Sequence, residues 1–196
     1  MEEIGIIILA AGNSSRMSNY KQLLRLDHIS LLRRSVNVAL STGLPTVTVL
    51  GANFKEHKKQ IENMDTEVTF NLDWKKGMGS SLKQGLTYLH KNHPTLHGAL
   101  FMACDQPMLS TSVLQQMIDA FQKGHDLIAA AYADTFGIPV LFGRKYFKEL
   151  LKIDDHEGAK ILIKKYEAYP VVFPEGAVDI DTDQDWMKFK KENNFD

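Results

Sequence analysis

Apolar runs alternate along this chain with segments of helical periodicity. Ile4–Leu9 is a nearly unbroken apolar stretch, which predicts a strand buried on both faces. Ser30–Thr42 places Leu31, Leu32, Ser35, Val36, Ala39 and Leu40 on one helical stripe, with Ser30 as N-cap and Gly43 as the stop. Thr46–Leu50 predicts a second strand, Lys55–Glu62 a charged helix, and Glu67–Phe70 a third strand. Ser80–His90 reads as a helix closed before Pro94, Ala99–Ala103 as a fourth buried strand, Ser112–Phe121 as a helix and Leu127–Tyr132 as another strand. After Gly137 the rhythm changes: Val140–Phe142 suits a strand, residues 144–151 and 157–166 suit helices, and Tyr169–Phe173 a late strand. This β-α-β alternation predicts an α/β fold, a mostly parallel central sheet with helices on both faces. No linker, repeat or heptad array interrupts it, so one domain is expected over residues 1–196. Ligands of such open sheets sit beyond the carboxyl ends of the strands. The loop at 10–21 and the segment at 103–107 both follow strands, and are expected to face one crevice.

Composition narrows the function classes. The chain has 196 residues, 44% apolar and 24% charged, with a formal net charge of −1. That suffices for one sizeable core and argues against a nucleic-acid partner held by global positive charge. A local basic pocket for a small anion is untouched by this argument. Met1-Glu2-Glu3-Ile4 lacks the basic start of a signal peptide, and Ile6–Ala11 is far too short to span a bilayer. No membrane partner is expected, and a cytoplasmic location is. Cys104 is the one cysteine, which excludes an intramolecular disulfide and a Cys-based zinc site. His90, His93 and His97 are close in sequence, but Pro94 breaks any helix between them, so they read as solvated rather than as metal ligands.

Four constellations carry candidate chemistry. The first is Leu9-Ala10-Ala11-Gly12-Asn13-Ser14-Ser15-Arg16-Met17, followed by Lys21. Small residues let backbone N–H groups approach a phosphate, Arg16 offers a forked donor and Lys21 a compact charge. It has neither the Walker spacing nor the dinucleotide fingerprint, and as an ordinary turn it would simply carry two solvated cations. The second is Cys104-Asp105-Gln106-Pro107 at the tip of a buried strand, where Asp105 suits a hard cation such as Mg²⁺ or a turn cap. Cys104 reads as a buried strand-end residue, not a nucleophile. The third, Asn71 to Leu82, ends in Gly77-Met78-Gly79-Ser80-Ser81 at an expected helix start; Trp74 suits either a lid or the core. The fourth is Asp179-Ile180-Asp181-Thr182-Asp183, where alternation aims Asp179 and Asp181 the same way and Asp183 is the expected N-cap of the last helix.

Taken together these motifs resemble the MobA-like nucleotidyltransferases, most closely their molybdenum cofactor cytidylyltransferase branch. L-A-A-G-x-S-x-R-M runs from Leu9, with Lys21 and Leu23-Leu24 completing it; N-x-x-W-x-x-G-M-x-x-S-L runs from Asn71 to Leu82. D-Q-P is Asp105 to Pro107, G-x-P-V-L-F is Gly137 to Phe142, and D-[IV]-D-T starts at Asp179. The resemblance implies a Rossmann-like nucleotidyltransferase fold and transfer of NMP from a nucleoside triphosphate to a phosphate acceptor. It implies that Leu9, Ala10, Ala11 and Gly12 approach the nucleoside and that Arg16 and Lys21 meet the triphosphate. It further implies that Ser81 lies by the nucleoside and that Asp105 and Asp181 hold Mg²⁺. Guanylyl-transferring relatives usually carry L-A-G-G, so Ala11 points to CTP, with a phosphorylated pterin, the molybdenum cofactor, as acceptor. A molybdenum hydroxylase such as xanthine dehydrogenase is the implied recipient. Alternatives are another NTP, a sugar or polyol phosphate acceptor, or a non-catalytic carrier of the cofactor.

Five positions depart from the family pattern. Ser18 replaces the glycine after Arg-Met, where serine would be strained if the position needs φ > 0. His156 and Lys160 replace an acid and an arginine of G-D-x-G-A-R, Ile138 precedes Pro139 where a polar residue is usual, and Asp183 replaces a proline. Apart from Ser18, these lie in the later half, where the family binds its acceptor.

Overall fold

The computed structural model describes residues 3–195; Met1 and Glu2, which carry part of the signal-peptide reading, and Asp196 lie outside the described residues. The elements follow the expected order: β1 (Ile4–Ala10), a hairpin of β2 (Arg25–Leu26) and β3 (Ile29–Ser30), α1 (Leu31–Leu40), β4 (Thr46–Leu50), α2 (Phe54–Ile61) and β5 (Glu67–Phe70). There follow α3 (Met78–Asn92), β6 (Gly98–Ala103), α4 (Thr111–Gln122), β7 (Leu127–Tyr132), β8 (Thr135–Gly143), α5 (Phe147–Leu150), α6 (Lys160–Lys165), β9 (Tyr169–Val172) and α7 (Asp183–Glu192).

Seven strands form one sheet in the order β5, β4, β1, β6, β8, β7, β9. All pairings are parallel except those of β8, which runs against β6 and β7. The strand order builds outward from β1 to β4 and β5, then crosses to β6 on its other side. Loops leaving β1 and β6 therefore diverge and open a crevice at their carboxyl ends.

Period-two alternation along β1 explains how one apolar run serves two layers. Ile6, Ile8 and Ala10 pack with α1 and α4 residues such as Leu32, Val36, Leu114 and Met117. Ile7, Leu9 and Ala11 pack on the other face with Leu82 and Leu86 of α3 and Leu162 of α6. Ile6, Ile7 and Ile8 are wholly buried, each contributing about 1.5–3 kcal/mol of hydrophobic stabilisation. Ser30 caps α1 as the sequence suggests, its hydroxyl accepting the Arg33 N–H at 3.3 Å.

Several expectations are corrected. The β2–β3 hairpin turns on Asp27 and His28, both left-handed (φ 49° and 66°), a geometry whose usual Asn-Gly signature is absent. The strand expected over Val140–Phe142 extends to Thr135–Gly143, because β7 and β6 both supply it with partners. The helix expected over 144–151 divides into a 3-10 turn, Arg144–Tyr146, and the single α-turn α5. The helix expected over 157–166 shortens to α6, since residues 154–158 leave helical geometry to pack across the start of α3. Thr182, not Asp183, caps α7: its hydroxyl accepts from the Asp185 N–H, while the Asp185 carboxylate accepts from the Thr182 N–H, a capping box.

One core group carries a pH signature. His57 on α2 is fully buried, neither ring nitrogen has a partner, and Tyr20 meets the ring edge-on at 5.4 Å. Burial, opposed by nearby Glu56, pushes its pKa down from 6.5 to about 4. The unfolded chain therefore takes the proton first. The stability contributed by neutral His57 is complete above pH 6.5 and is lost as pH falls towards 4. That loss should amount to about 3 kcal/mol. In His57→Leu it should vanish, so urea unfolding across this range should show the wild type losing stability relative to the variant as the medium becomes acid.

Candidate active site

The loop leaving β1 is shaped by side chains rather than by glycine. Ser14 is left-handed (φ 50°); its hydroxyl accepts the Lys21 N–H at 2.9 Å and donates to Gln22 Oε1 at 3.2 Å. Gln22 is buried and its Nε2 donates to the Gly12 carbonyl at 2.9 Å. Ser18 is not left-handed, so it bears no strain of the kind feared there; its N–H donates to Asp183 Oδ2 at 3.0 Å. Asp183 thus ties the loop to α7 instead of capping that helix.

Three segments meet beyond this loop. Lys21 Nζ donates to Asp105 Oδ2 at 2.6 Å and to Asp181 Oδ1 at 2.9 Å, while Arg16 Nη2 donates to Asp181 Oδ2 at 2.8 Å. The Ile180 N–H donates to the Asp105 carbonyl at 3.0 Å, and the fully buried Ile180 side chain anchors this third segment against Leu26, Leu31 and Phe189. Burial is the largest influence on Lys21 and favours the neutral amine. The Asp105 charge and hydrogen bond, with Asp181, outweigh it and hold the ammonium above its ordinary range. Burial likewise works against ionised Asp181, but Lys21 and Arg16 draw its carboxyl below the usual range. Asp179 makes no such ion pair: burial first, then the charges of Asp105 and Asp181, push it up to about 6 against the pull of Lys21.

A cavity of about 420 Å³ opens beside this cluster, lined by Leu9, Ala11, Gly12, Lys21, Ser81 and Asp105, among others. A Cβ at Gly12 would meet nothing within 4 Å, so this glycine leaves space inside the cavity rather than relieving a packing clash. Trp74 is half-buried, lines the cavity and packs on the Leu82 side of the core. Asn71 fixes the start of α3: it donates to Ser80 and Ser81 hydroxyls, each at 2.9 Å, and accepts the Asp73 N–H.

A second cavity, about 190 Å³, shares Met78 and Asp105 with the first and is bounded by Tyr132, Ile138, Lys160 and Asp179. The segment 154–158, whose Gly158 lines this cavity, lies directly on α3. Lys83 pairs with Asp155 and donates to the Ile153 carbonyl at 3.1 Å, and the Ser80 N–H reaches the Asp155 carbonyl. A Cβ at Gly77 (φ 124°) or Gly79 would collide with carbonyl oxygens of this segment. The two glycines are required by that close approach.

The structure therefore places Leu9, Ala11, Gly12, Lys21, Ser81 and Asp105 around one cavity and joins Asp181 and Arg16 to it through ion pairs. Ala10 is buried with its side chain in the sheet layer on the α1 side. Cys104 is buried, and burial first, then Asp105, push its thiol up to about 12, consistent with an inert strand-end residue. His93 pairs with Glu67 at 2.5 Å, away from the crevice, and His90 and His97 are exposed. Sequence reasoning missed Gln22 and Asn71 as organisers. Their one signal was a polar side chain standing where the surrounding pattern is apolar.

The cluster fits a divalent cation. Two carboxylates share one cationic partner, and burial, followed by the charges of Asp105 and Asp181, raises the pKa of a third, Asp179. Hard oxygen donors few in number suit Mg²⁺, which keeps water and phosphate oxygens in its shell. Among the described residues no group of three or more His, Cys, Asp or Glu side chains forms a ready metal cage.

Comparison with known proteins shows what the chain as a whole is similar to. Residues 6–169 match the family described as the MobA-like NTP transferase domain. The chain is 24% identical over 195 residues to the molybdenum cofactor cytidylyltransferase of Escherichia coli (strain K12), covering 97% of each. Among solved structures it is similar to Rv0371c from Mycobacterium tuberculosis H37Rv, with a TM-score of 0.85, 26% identity, and 97% and 98% of the two chains covered. It is also similar to Rv0371c in complex with manganese, with a TM-score of 0.81, 25% identity, and 96% and 98% covered.

The contact between α3 and residues 154–158 makes a counterintuitive prediction. Helix propensity alone would have Gly79→Ala stabilise the protein by about 0.5–1 kcal/mol. Displacing backbone carbonyls should reverse the sign and destabilise by about 1–3 kcal/mol, as overpacking does. Urea unfolding at neutral pH measures the difference.

Proposed function

The chain belongs to the MobA-like NTP transferase family and is a nucleotidyltransferase; on that premise we propose that it transfers CMP from CTP to the phosphate of a molybdopterin-type cofactor, releasing pyrophosphate. The observation that carries the reading is Lys21 held between Asp105 and Asp181 at the edge of a cavity walled by the Leu9–Gly12 turn. A volume of about 420 Å³ lies within the range of small-molecule sites. Ala11, in place of the second glycine of guanylyl-transferring relatives, and the name of the Escherichia coli relative both support CTP.

In this reading the triphosphate lies along Gly12, Arg16 and Lys21, and the acceptor enters the smaller cavity, where Lys160 supplies a cation for its phosphate. An acceptor oxygen attacks the α-phosphorus in line, the bond from that phosphorus to the bridging oxygen breaks, and pyrophosphate departs. A phosphate monoester is already largely anionic near neutral pH, so no side chain need remove a proton. Lys21 and Arg16 exchange their carboxylate partners for phosphate oxygens and stabilise the charge that grows there. Mg²⁺, held by Asp105 and Asp181 and supported in kind by the manganese-bound relative, would supply Lewis-acid charge on the phosphate oxygens. Delivery of the product to a molybdenum hydroxylase rests on the family resemblance alone. No helix among the described residues is long and apolar enough to cross a membrane.

Pyrophosphate release, followed with each NTP, Mg²⁺ and molybdenum cofactor, tests the proposal. Release should require CTP together with the cofactor. Release with GTP alone would overturn the cytidylyl assignment, release with sugar or polyol phosphates would overturn the acceptor, and no release with any pair would overturn the reaction. Lys21→Ala should lower turnover about a thousandfold, equivalent to about 4 kcal/mol of barrier, with an unchanged circular dichroism spectrum.

A further inference from the structure

Tyr132, the last residue of β7, is half-buried and lines the smaller cavity. Its pose is set by two glycines and one amide. A Cβ at Gly137 would meet the Tyr132 hydroxyl oxygen at 2.0 Å, and one at Gly176 would meet the ring atom Cδ1 at 2.6 Å. The ring therefore lies against both segments, in a slot that only bare backbone leaves open. Gln106 ties the same two segments together, its Nε2 donating to the Ile138 and Gly176 carbonyls at 3.0 and 3.2 Å.

The two ends of the ring have different surroundings. At the Cδ1 end lie Gly176 and Phe173, whose ring meets that of Tyr132 edge-on at 6.5 Å; neither residue borders the cavity. The hydroxyl end lies on Gly137, and the Asp179 and Asp105 charges and the Gln106 side chain all act on it. These four residues do border the cavity, so the hydroxyl is the end presented to it. Burial first, then the Asp179 charge, hold the phenol above its ordinary range, and it keeps its proton.

Among the side chains around this cavity, Gln106, Tyr132 and Lys160 carry hydrogen-bond donors at neutral pH, and both N–H groups of the Gln106 amide are spent on carbonyls. Asp105 and Asp179 border the same space and repel an anion. An entering phosphate therefore depends on Tyr132 as well as Lys160. The phosphate is the part of the acceptor that belongs here, because the cavity meets the larger one at Asp105 and the attacking oxygen reaches the nucleotide from that side. We propose that Tyr132 is an acceptor-binding residue whose hydroxyl donates to an oxygen of the acceptor's phosphate. The inference rests on the nucleotidyl-transfer reading, but not on which phosphorylated acceptor is used.

Steady-state pyrophosphate release by the full chain tests this, with the NTP and phosphorylated acceptor that support turnover each varied in turn. Tyr132→Phe keeps the ring between the two glycines and removes only the donor. In that variant KM for the acceptor should rise about tenfold, while kcat changes by less than about twofold and KM for the NTP stays as in the wild type. Orthophosphate, as an inhibitor competing with the acceptor, should lose affinity by a similar factor. An unchanged acceptor KM, a fall in kcat alone, an equal rise in KM for the NTP, or unaltered inhibition by orthophosphate would each overturn the role of Tyr132 and leave nucleotidyl transfer standing. No release by the wild type with any pair would overturn nucleotidyl transfer itself, and this inference with it.

Discussion

A single ammonium shared by two carboxylates holds together parts of the chain that are far apart in sequence. Lys21 reaches Asp105 across 84 residues and Asp181 across 160. The arrangement is possible because β1 and β6 are neighbours in the sheet and both end at the same rim. Burial penalises the charges of Lys21 and Asp181, and in both the ion pairs they make outweigh it. Asp179, close by and without a cation of its own, shows what the same surroundings do to a carboxylate left over.

The Ala103–Pro107 segment touches more than one cavity. Ala103, Cys104 and Asp105 line the larger one, Ala103, Asp105 and Gln106 the smaller, and Gln106 and Pro107 also border the α1 side. Gln106 also reaches across to the Ile138 carbonyl and to that of Gly176, so one amide braces the strand end against β8 and the segment before Ile180. This bracing gives Asp105 a firm footing on a loop that has no regular structure of its own. Preorganisation of that kind is what charge stabilisation requires.

Much of the fold was legible because the apolar pattern of each strand is strong and its neighbours are parallel. The limits of β4, β5 and β7 fell where the pattern placed them. The motif residues Lys21, Asp105 and Asp181 were identifiable one by one, as charges following strands. Their meeting followed only from the resemblance and from the rule that ligands gather at strand ends. What stayed hidden depended on partners distant in sequence. The Asp27-His28 turn carries no glycine to mark it, and the truncation of α6 is caused by α3, some 80 residues earlier. Thr182 and Asp183 are both good capping residues in sequence; the reciprocal bond with Asp185 decided between them.

The packing of residues 154–158 on the first turn of α3 has a consequence for how such a protein can diversify. One side of this contact belongs to the wall of the smaller cavity, and the other follows directly from the residues that frame the larger one. A lobe transplanted from a relative to change acceptor choice would inherit a seat cut for bare backbone at Gly77 and Gly79. Recombination that respects domain boundaries but ignores this seam would join mismatched surfaces, so the two halves are constrained to vary in step.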